Sequence, residues 1–312
     1  MDILGQVILP AGRSAMELSL FVLLPVMVVM LSVMRLLEAW GVLDWVVARL
    51  APGLRPFGLT GLGVFAALQI NLVNFAAPVA TLAIMESRGT SDRHLAAAFA
   101  MVLAMAQANA VFPMATMGLT IGPVLLFSLL GGLVAAAATY HGFGRSLSPE
   151  EHVADDTIHH PAAESAKSVL DVINRAGAEA FRIAIGAIPM LVLSLVVVTG
   201  LRQGGAVDWL TAQLAPGLGL LGIDPALVLP ALTKYMAGGT AMMGVVDEQV
   251  RHHLLAAREL NQAAGFLIHP LDIPGIAVLM SAGRRVAMVW KPAAAGACVG
   301  IAIRTAAHIL LI

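Results

Sequence analysis

The residues of this chain that can do chemistry are few and fall in groups. The sharpest group is Thr233-Lys234-Tyr235-Met236-Ala237-Gly238-Gly239-Thr240, set inside the apolar stretch Pro225 to Val246. A charge at membrane depth is costly and normally faces a bundle interior or a water-filled cavity. The glycine pair weakens a helix and lets backbones approach closely. Thr233, Lys234, Tyr235 and Thr240 are therefore candidate contacts to a polar solute, with Lys234 able to hold an anion or act as a movable charge. The competing use of Lys234 is an internal salt bridge to Glu259 or Asp247.

A second group, Gln69, Asn71 and Asn74, lies in the middle of Leu59 to Met85. Gln107 and Asn109 follow it, and Glu259, Asn261 and Gln262 follow the lysine group. Amides also tie membrane helices together, at about 0.6 kcal/mol per bond, so it is the clustering, not any single amide, that points to solute binding. His269 and Asp272, beside Pro270 and Pro274, have the chemistry of a metal site or a proton relay. No nucleophile–base spacing or phosphate-binding loop occurs, and enzymatic activity is not expected. The single cysteine, Cys298, allows neither a disulfide framework nor a zinc knuckle within one chain. The methionines read as packing material.

The elements that must position these residues are membrane elements. Of 312 residues, 59% are hydrophobic and 12% charged. That is half the charge of a soluble domain, roughly 25%, and several apolar runs approach the length of a membrane span. The ten-residue alternation of a β-barrel does not appear. A net charge of −1 suggests no nucleic-acid partner. The first fourteen residues, MDILGQVILPAGRS, do not read as a cleaved signal.

The chain is expected to be an all-α polytopic membrane protein. Ala15 to Leu37 is a span kinked at Pro25, and Gly41 to Leu54 is an interfacial amphipathic helix. Leu59 to Met85 has two short arms around a polar tip, the pattern of a re-entrant hairpin, which is tolerated only inside protein or beside a cavity. Arg93 to Val111 is a helix ending in Gln107, Asn109 and Pro113, and Gly118 to Tyr140 is a further span. The polar stretch His141 to Lys167 reads as a solvated linker. A metal-sensing loop around His159 and His160 is the sharper alternative.

The pattern then restarts. Ala178 to Leu201 is a span. Gly205 to Leu218, GAVDWLTAQLAPGL, repeats Gly41 to Leu54, GVLDWVVARLAPGL, without a gap. On the same offset Gln69 falls on Thr233, Asn71 on Tyr235 and Asn74 on Gly238, so the two polar tips coincide. Arg251 to His269 repeats the helix after the hairpin, and Val286 to Ile303 is the last span. The organisation is a first repeat over residues 1–140, a linker over 141–167 and a second repeat over 168–312.

Three crossings per repeat turn the second repeat upside down. This is an inverted-topology internal repeat of about six spanning helices, two re-entrant hairpins and interfacial helices. Arg35, Arg49, Arg55, Arg145, Lys167, Arg175, Arg182, Arg284 and Arg285 then share one side, which becomes the cytoplasmic side. Arg13, Arg202 and Arg304 fall opposite. The expected location is a bacterial inner (plasma) membrane with the linker cytoplasmic. Inverted repeats with interrupted helices are how many secondary transporters build a solute site at the bilayer midplane.

At the repeated interfacial helix and the tip TKYMAGGTAMMGV, the chain resembles the nucleoside-recognition, or gate, superfamily. That group includes the spore maturation proteins A and B, the membrane part of the ferrous-iron transporter B and the core of the concentrative nucleoside transporters. The resemblance spans nearly the whole chain as two gate units. It implies solute contacts at the hairpin tips and in the helices that follow them. The Gln-Thr-Glu-x-Pro tip of the nucleoside transporters is absent, since the first tip reads Gln69-Ile70-Asn71-Leu72-Val73-Asn74. No GxxxxGK[ST] motif occurs either. The leading expectation is a permease for a small polar solute, nucleoside-like or not, with Na+ or H+ as coupling ion and the lipid bilayer and further copies of the chain as partners. The alternatives are an ion or divalent-metal pathway and a non-transporting structural or regulatory protein. The last would suit tips that pack together without a cavity.

Overall fold

The computed structural model describes residues 4–150, 168–206, 209–213 and 224–312. Their regular elements are all helical. Helix α1 (Leu9–Ala39) is a long apolar helix. It widens to π geometry over Leu18–Leu23, just before Pro25. Proline supplies no N–H to the preceding turn, and a wide turn absorbs that gap. Gly41, at φ 68°, turns the chain into α2 (Val42–Leu54). This helix buries Leu43 and Val47 and turns Trp45 and Leu50 outward.

Helices α3 (Gly61–Leu72) and α4 (Pro78–Ser87) form the first hairpin. Helices α5 (Asp92–Ala104) and α6 (Ala108–Ala115) are the halves of one interrupted helix. Helix α7 (Ile121–Ala138) continues as a π turn to Phe143. After the polar stretch comes α8 (Val169–Gln203). The second hairpin is α9 (Val228–Ala237) and α10 (Gly239–Arg251). A second interrupted helix follows as α11 (Ala257–Leu267) and α12 (Ile273–Met280), then the short α13 (Arg284–Met288) and the final α14 (Trp290–Leu311).

The order long helix, hairpin, interrupted helix, long helix therefore occurs twice. Equivalent elements also pack together: α1 runs along α8, and α7 along α14. Among the described residues, five stretches are long and apolar enough to cross a membrane: Leu9–Ala39, Asp92–Ala115, Ile121–Phe143, Val169–Leu201 and Trp290–Leu311. The remaining expected crossing, Arg251 to His269, is not one helix: α10 ends at Arg251, and α11 (Ala257–Leu267) and α12 (Ile273–Met280) are each too short to span alone. Lipid provides no hydrophobic drive between helices, so contact there depends on close backbone approach. Gly296 and Gly300 supply it on α14. A Cβ on Gly300 would lie 2.8 Å from the Ala135 side chain of α7, and one on Gly131 would lie 2.8 Å from the Gly300 carbonyl.

Helix α5 is buried on every side from Leu95 to Ala104. It is the axis on which α3, α7 and α14 pack. Its alanine-rich surface (Ala96, Ala97, Ala98, Ala100, Ala104) admits these neighbours closely. Asp92 near its start accepts an ion pair from Arg285 at 2.7 Å, and Arg285 also donates to the Thr90 carbonyl at 2.6 Å. Arg285 thus fastens α13 to the turn between hairpin and interrupted helix. Of the polar linker, His152, Asp155, Asp156, His159, His160, Glu164 and Lys167 lie outside the described residues. So do Asp208, Leu214 to Leu218 and Gly222 of the repeated amphipathic segment.

Candidate functional site

Each hairpin tip and each helix interruption leaves a new helix N-terminus inside the protein. Those of α4, α6, α10 and α12 meet at one cavity of about 980 Å³. The first tip contributes Gln69, Val73, Asn74, Phe75, Ala76 and Ala77, and the first break contributes Gln107 and Asn109. The second tip contributes Ala237, Gly238, Gly239 and Thr240, and the second break contributes Asp272, Pro274 and Gly275. Four N-termini aimed at one space present N–H groups and partial positive charge to whatever occupies it.

The first tip is held by amides. Asn74 Oδ1 accepts from the N–H groups of Ala76 at 2.8 Å and Ala77 at 2.9 Å, closing the turn onto α4. Asn109 Oδ1 accepts from Phe75 N at 3.2 Å, which ties tip to break. Because backbone N–H groups only donate, the oxygens of Asn74 and Asn109 are committed and their NH₂ groups remain for a solute. Gln69 Oε1 is 2.7 Å from the Thr81 hydroxyl across the hairpin. Asn71 faces away, accepting from Ser128 Oγ of α7 at 3.1 Å.

The second tip is backbone. Gly238 has φ 91° and ψ 172°, a conformation that favours glycine. Gly239 packs so closely on the Gln107 amide of the first break that an added Cβ would collide with it. The halves are therefore interlocked crosswise. Lys234, one turn before the tip, is wholly buried and forms an ion pair with Asp272. Asp272 borders the cavity and also caps α12, accepting from Gly275 N at 2.6 Å. The partner of Lys234 is thus neither Glu259 nor Asp247. Glu259 accepts from Ala256 N at 2.7 Å at the start of α11, and Asp247 pairs with Arg251 at 2.8 Å.

The remaining expected site residues lie elsewhere. Thr233 returns its hydroxyl to the Leu229 carbonyl at 2.9 Å, a bond within its own helix. Tyr235 is 40% exposed and points away from the cavity, its hydroxyl donating to Phe266 O at 3.2 Å. Asn261 joins α11 to the start of α7, donating to Gly118 O at 2.9 Å and accepting from Thr120 N at 2.8 Å. Glu259 and Gln262 line a separate recess of about 340 Å³. His269 is buried behind the break, with Nδ1 accepting from Leu271 N at 3.1 Å. Among the described residues, no three His, Cys, Asp or Glu side chains come together as a metal site.

The first interruption also falls earlier than the sequence suggests. Helix α5 ends at Ala104 and helix resumes at Ala108, so Gln107 and Asn109 begin α6 and do not end a helix. Nothing in Met105-Ala106 breaks a helix by itself. The freed groups are met from a distance: Ser128 Oγ accepts from Ala106 N at 2.6 Å, and Arg304 donates to Ala104 O at 2.7 Å. Arg304, assigned by charge counting to an outer face, is instead fully buried.

One wall of the cavity is charged. Arg35 and Glu38 of α1 and Glu179 and Arg182 of α8 line it. Arg35 donates to Glu38 at 2.8 Å and to Glu179 at 3.0 Å, tying the first long helices of the two repeats together. Their signal in the sequence is the i, i+3 spacing of opposite charges, Arg35 with Glu38 and Glu179 with Arg182.

Residues 20–124 match the family model Gate, described as nucleoside recognition. The match covers the first repeat to the start of α7. No curated protein matches the chain. The fold is that of the concentrative nucleoside transporter CNTnw. Its structure in an inward-facing, substrate-bound state superposes with a TM-score of 0.68 at 17% identity, covering 94% of this chain and 78% of that one. A doubly substituted variant in an outward-facing state gives 0.67 at 16% identity, with 92% and 75% covered. A singly substituted variant in an intermediate state gives 0.66 at 17%, with 92% and 74% covered. The chain is an integral membrane protein of this architecture.

Proposed function

We propose that this protein is a secondary transporter for a small polar solute of nucleoside-like size and polarity. The observation that carries the reading is the convergence of both hairpin tips and both helix breaks on one cavity of about 980 Å³. That is within the range of small-molecule sites, roughly 300–1,000 Å³. The solute lies between the tips. Gln69, Asn74, Gln107 and Asn109 offer amide donors from the first repeat, and Thr240 and the backbone at Gly238-Gly239 contact it from the second. Asp272, held by Lys234, closes the floor. The fold shared with structures in inward-facing, intermediate and outward-facing states supports alternating access. The repeats are residues 1–140 and 168–312, related by a pseudo-two-fold axis in the plane of the membrane, with the 141–167 linker on the cytoplasmic side of a bacterial inner membrane. The chain works as a homo-oligomer and couples solute movement to an ion gradient.

The test is a thermal-shift screen of purified protein against nucleosides, nucleobases, amino acids and divalent metals, followed by uptake into proteoliposomes. Selective binding to the folded state adds about 2.7 kcal/mol of apparent stability at a hundredfold excess over Kd. A shift for one solute class, lost in Asn74→Ala and Gln107→Ala, is the expected result. No shift for any class, with these variants as stable as wild type, would refute the transporter reading.

A further inference from the structure

The cation of Arg304 has a use that the solute site does not require. It reaches from α14 into the interior, fully buried, and its contacts are backbone carbonyls. Nη1 donates to Ala104 O at 2.7 Å and to Ile268 O at 3.1 Å, and Nη2 donates to Ala264 O at 3.4 Å. Ala104 closes α5, and Ala264 and Ile268 flank the end of α11. The guanidinium thus sits where the C-terminal ends of the two interrupted helices meet. Each helix end carries roughly half an elementary negative charge. Two facing ends therefore call for one positive charge, and Arg304 is permanently charged. The carboxylate of Asp272 is already paired with Lys234. Lys234 and His269 are the other ionisable groups that face Arg304 electrostatically, and His308 lies one turn further along its own helix.

Unwound carbonyls and half-helix C-termini are also the groups that hold a coupling metal cation in transporters with broken helices. We infer that Arg304 is a tethered, resident monovalent cation that fills this position, so that the paired breaks need no free metal ion there. For transport, which rests on the function proposed above, the coupling ion is then not a Na+ bound between the ends of α5 and α11. Arg304 is a positioning residue: by clasping both helix ends from behind, it sets the spacing of Gln107, Asn109 and Asp272 around the cavity.

The test reads stability and needs no solute, so it stands or falls independently of the transporter reading. Thermal midpoints of wild type are compared in NaCl, KCl and choline chloride at equal ionic strength, and no difference is expected. Arg304→Ala should lower the midpoint. Low-millimolar guanidinium should then recover at least half of the loss, while equal urea or choline recovers none. Arg304→Met, which refills the volume without the charge, should stay low. If Arg304→Ala does not accumulate, the order Arg304→Lys above Arg304→Met carries the same information. Saturable stabilisation of wild type by Na+, a Met variant as stable as wild type or above the Lys variant, or recovery by urea as good as by guanidinium would each overturn the inference.

Discussion

Replacing Lys234 and Asp272 singly and together tests whether the second hairpin is latched to the second break by charge. Lys234 is wholly buried and Asp272 nearly so, but Asp272 borders the cavity and Lys234 does not. Removing one member of a buried pair leaves the other charge uncompensated and costs about 3–5 kcal/mol. Replacing both with neutral groups is often close to neutral. Asn at position 272 still accepts from Gly275 N, so the α12 cap survives and the cycle isolates the charge. Lys234→Met leaves a carboxylate that water can reach from the cavity. Asp272→Asn leaves an ammonium that water cannot reach. Asp272→Asn should therefore be the costlier single change. The double variant should recover most of the loss, giving a coupling of about 3 kcal/mol or more. Reversible unfolding in mixed detergent micelles, followed by far-UV circular dichroism, measures all four corners. Additivity within about 0.5 kcal/mol, or Lys234→Met as the costlier change, would refute the latch.

Four further outcomes concern the tips and breaks. Asn109→Ala strips Phe75 N of its acceptor and should cost about 1–3 kcal/mol, while Asn109→Asp keeps the bond; chemical denaturation compares the two. Ser128→Ala orphans Ala106 N in the first break, a loss of about 1–3 kcal/mol that should appear as a lower thermal midpoint and as cleavage at the break in limited proteolysis. Gly238→Ala forces a side chain into a left-handed backbone at about 1–3 kcal/mol. Gly239→Ala should instead displace the Gln107 amide, weakening binding of any solute found in the thermal-shift screen by more than it lowers stability.

The hairpins were legible because their causes are local. Pro78 and the Gly238-Gly239 pair mark the tips wherever the rest of the chain lies. The first break was not legible, because its causes are remote: Ser128 and Arg304 supply the bonds that Met105-Ala106 give up. Lys234 was recognisable as an internal charge, but its partner was not. Asp247 and Glu259 are carboxylates at plausible spacings, and only the unwinding at 268–272 brings Asp272 to the lysine. Arg35 and Arg182 read as markers of membrane side because charges near the ends of spans usually are. The crossing of α1 and α8 turns them into a wall of the cavity.

The bond between Arg304 and the Ala104 carbonyl joins residues 200 positions apart. It has a consequence for how the protein is made. Helix α5 enters the bilayer early, yet the group that satisfies its last carbonyl belongs to α14 and leaves the ribosome 200 residues later. Until α14 arrives, the nascent first repeat carries an open helix end, which lipid cannot solvate, and it must be sheltered by the insertion machinery or by water. Insertion of α14 is then the step that closes the open end of α5. Nascent chains arrested before residue 304 should remain bound to the insertion apparatus, while those extended through α14 are released.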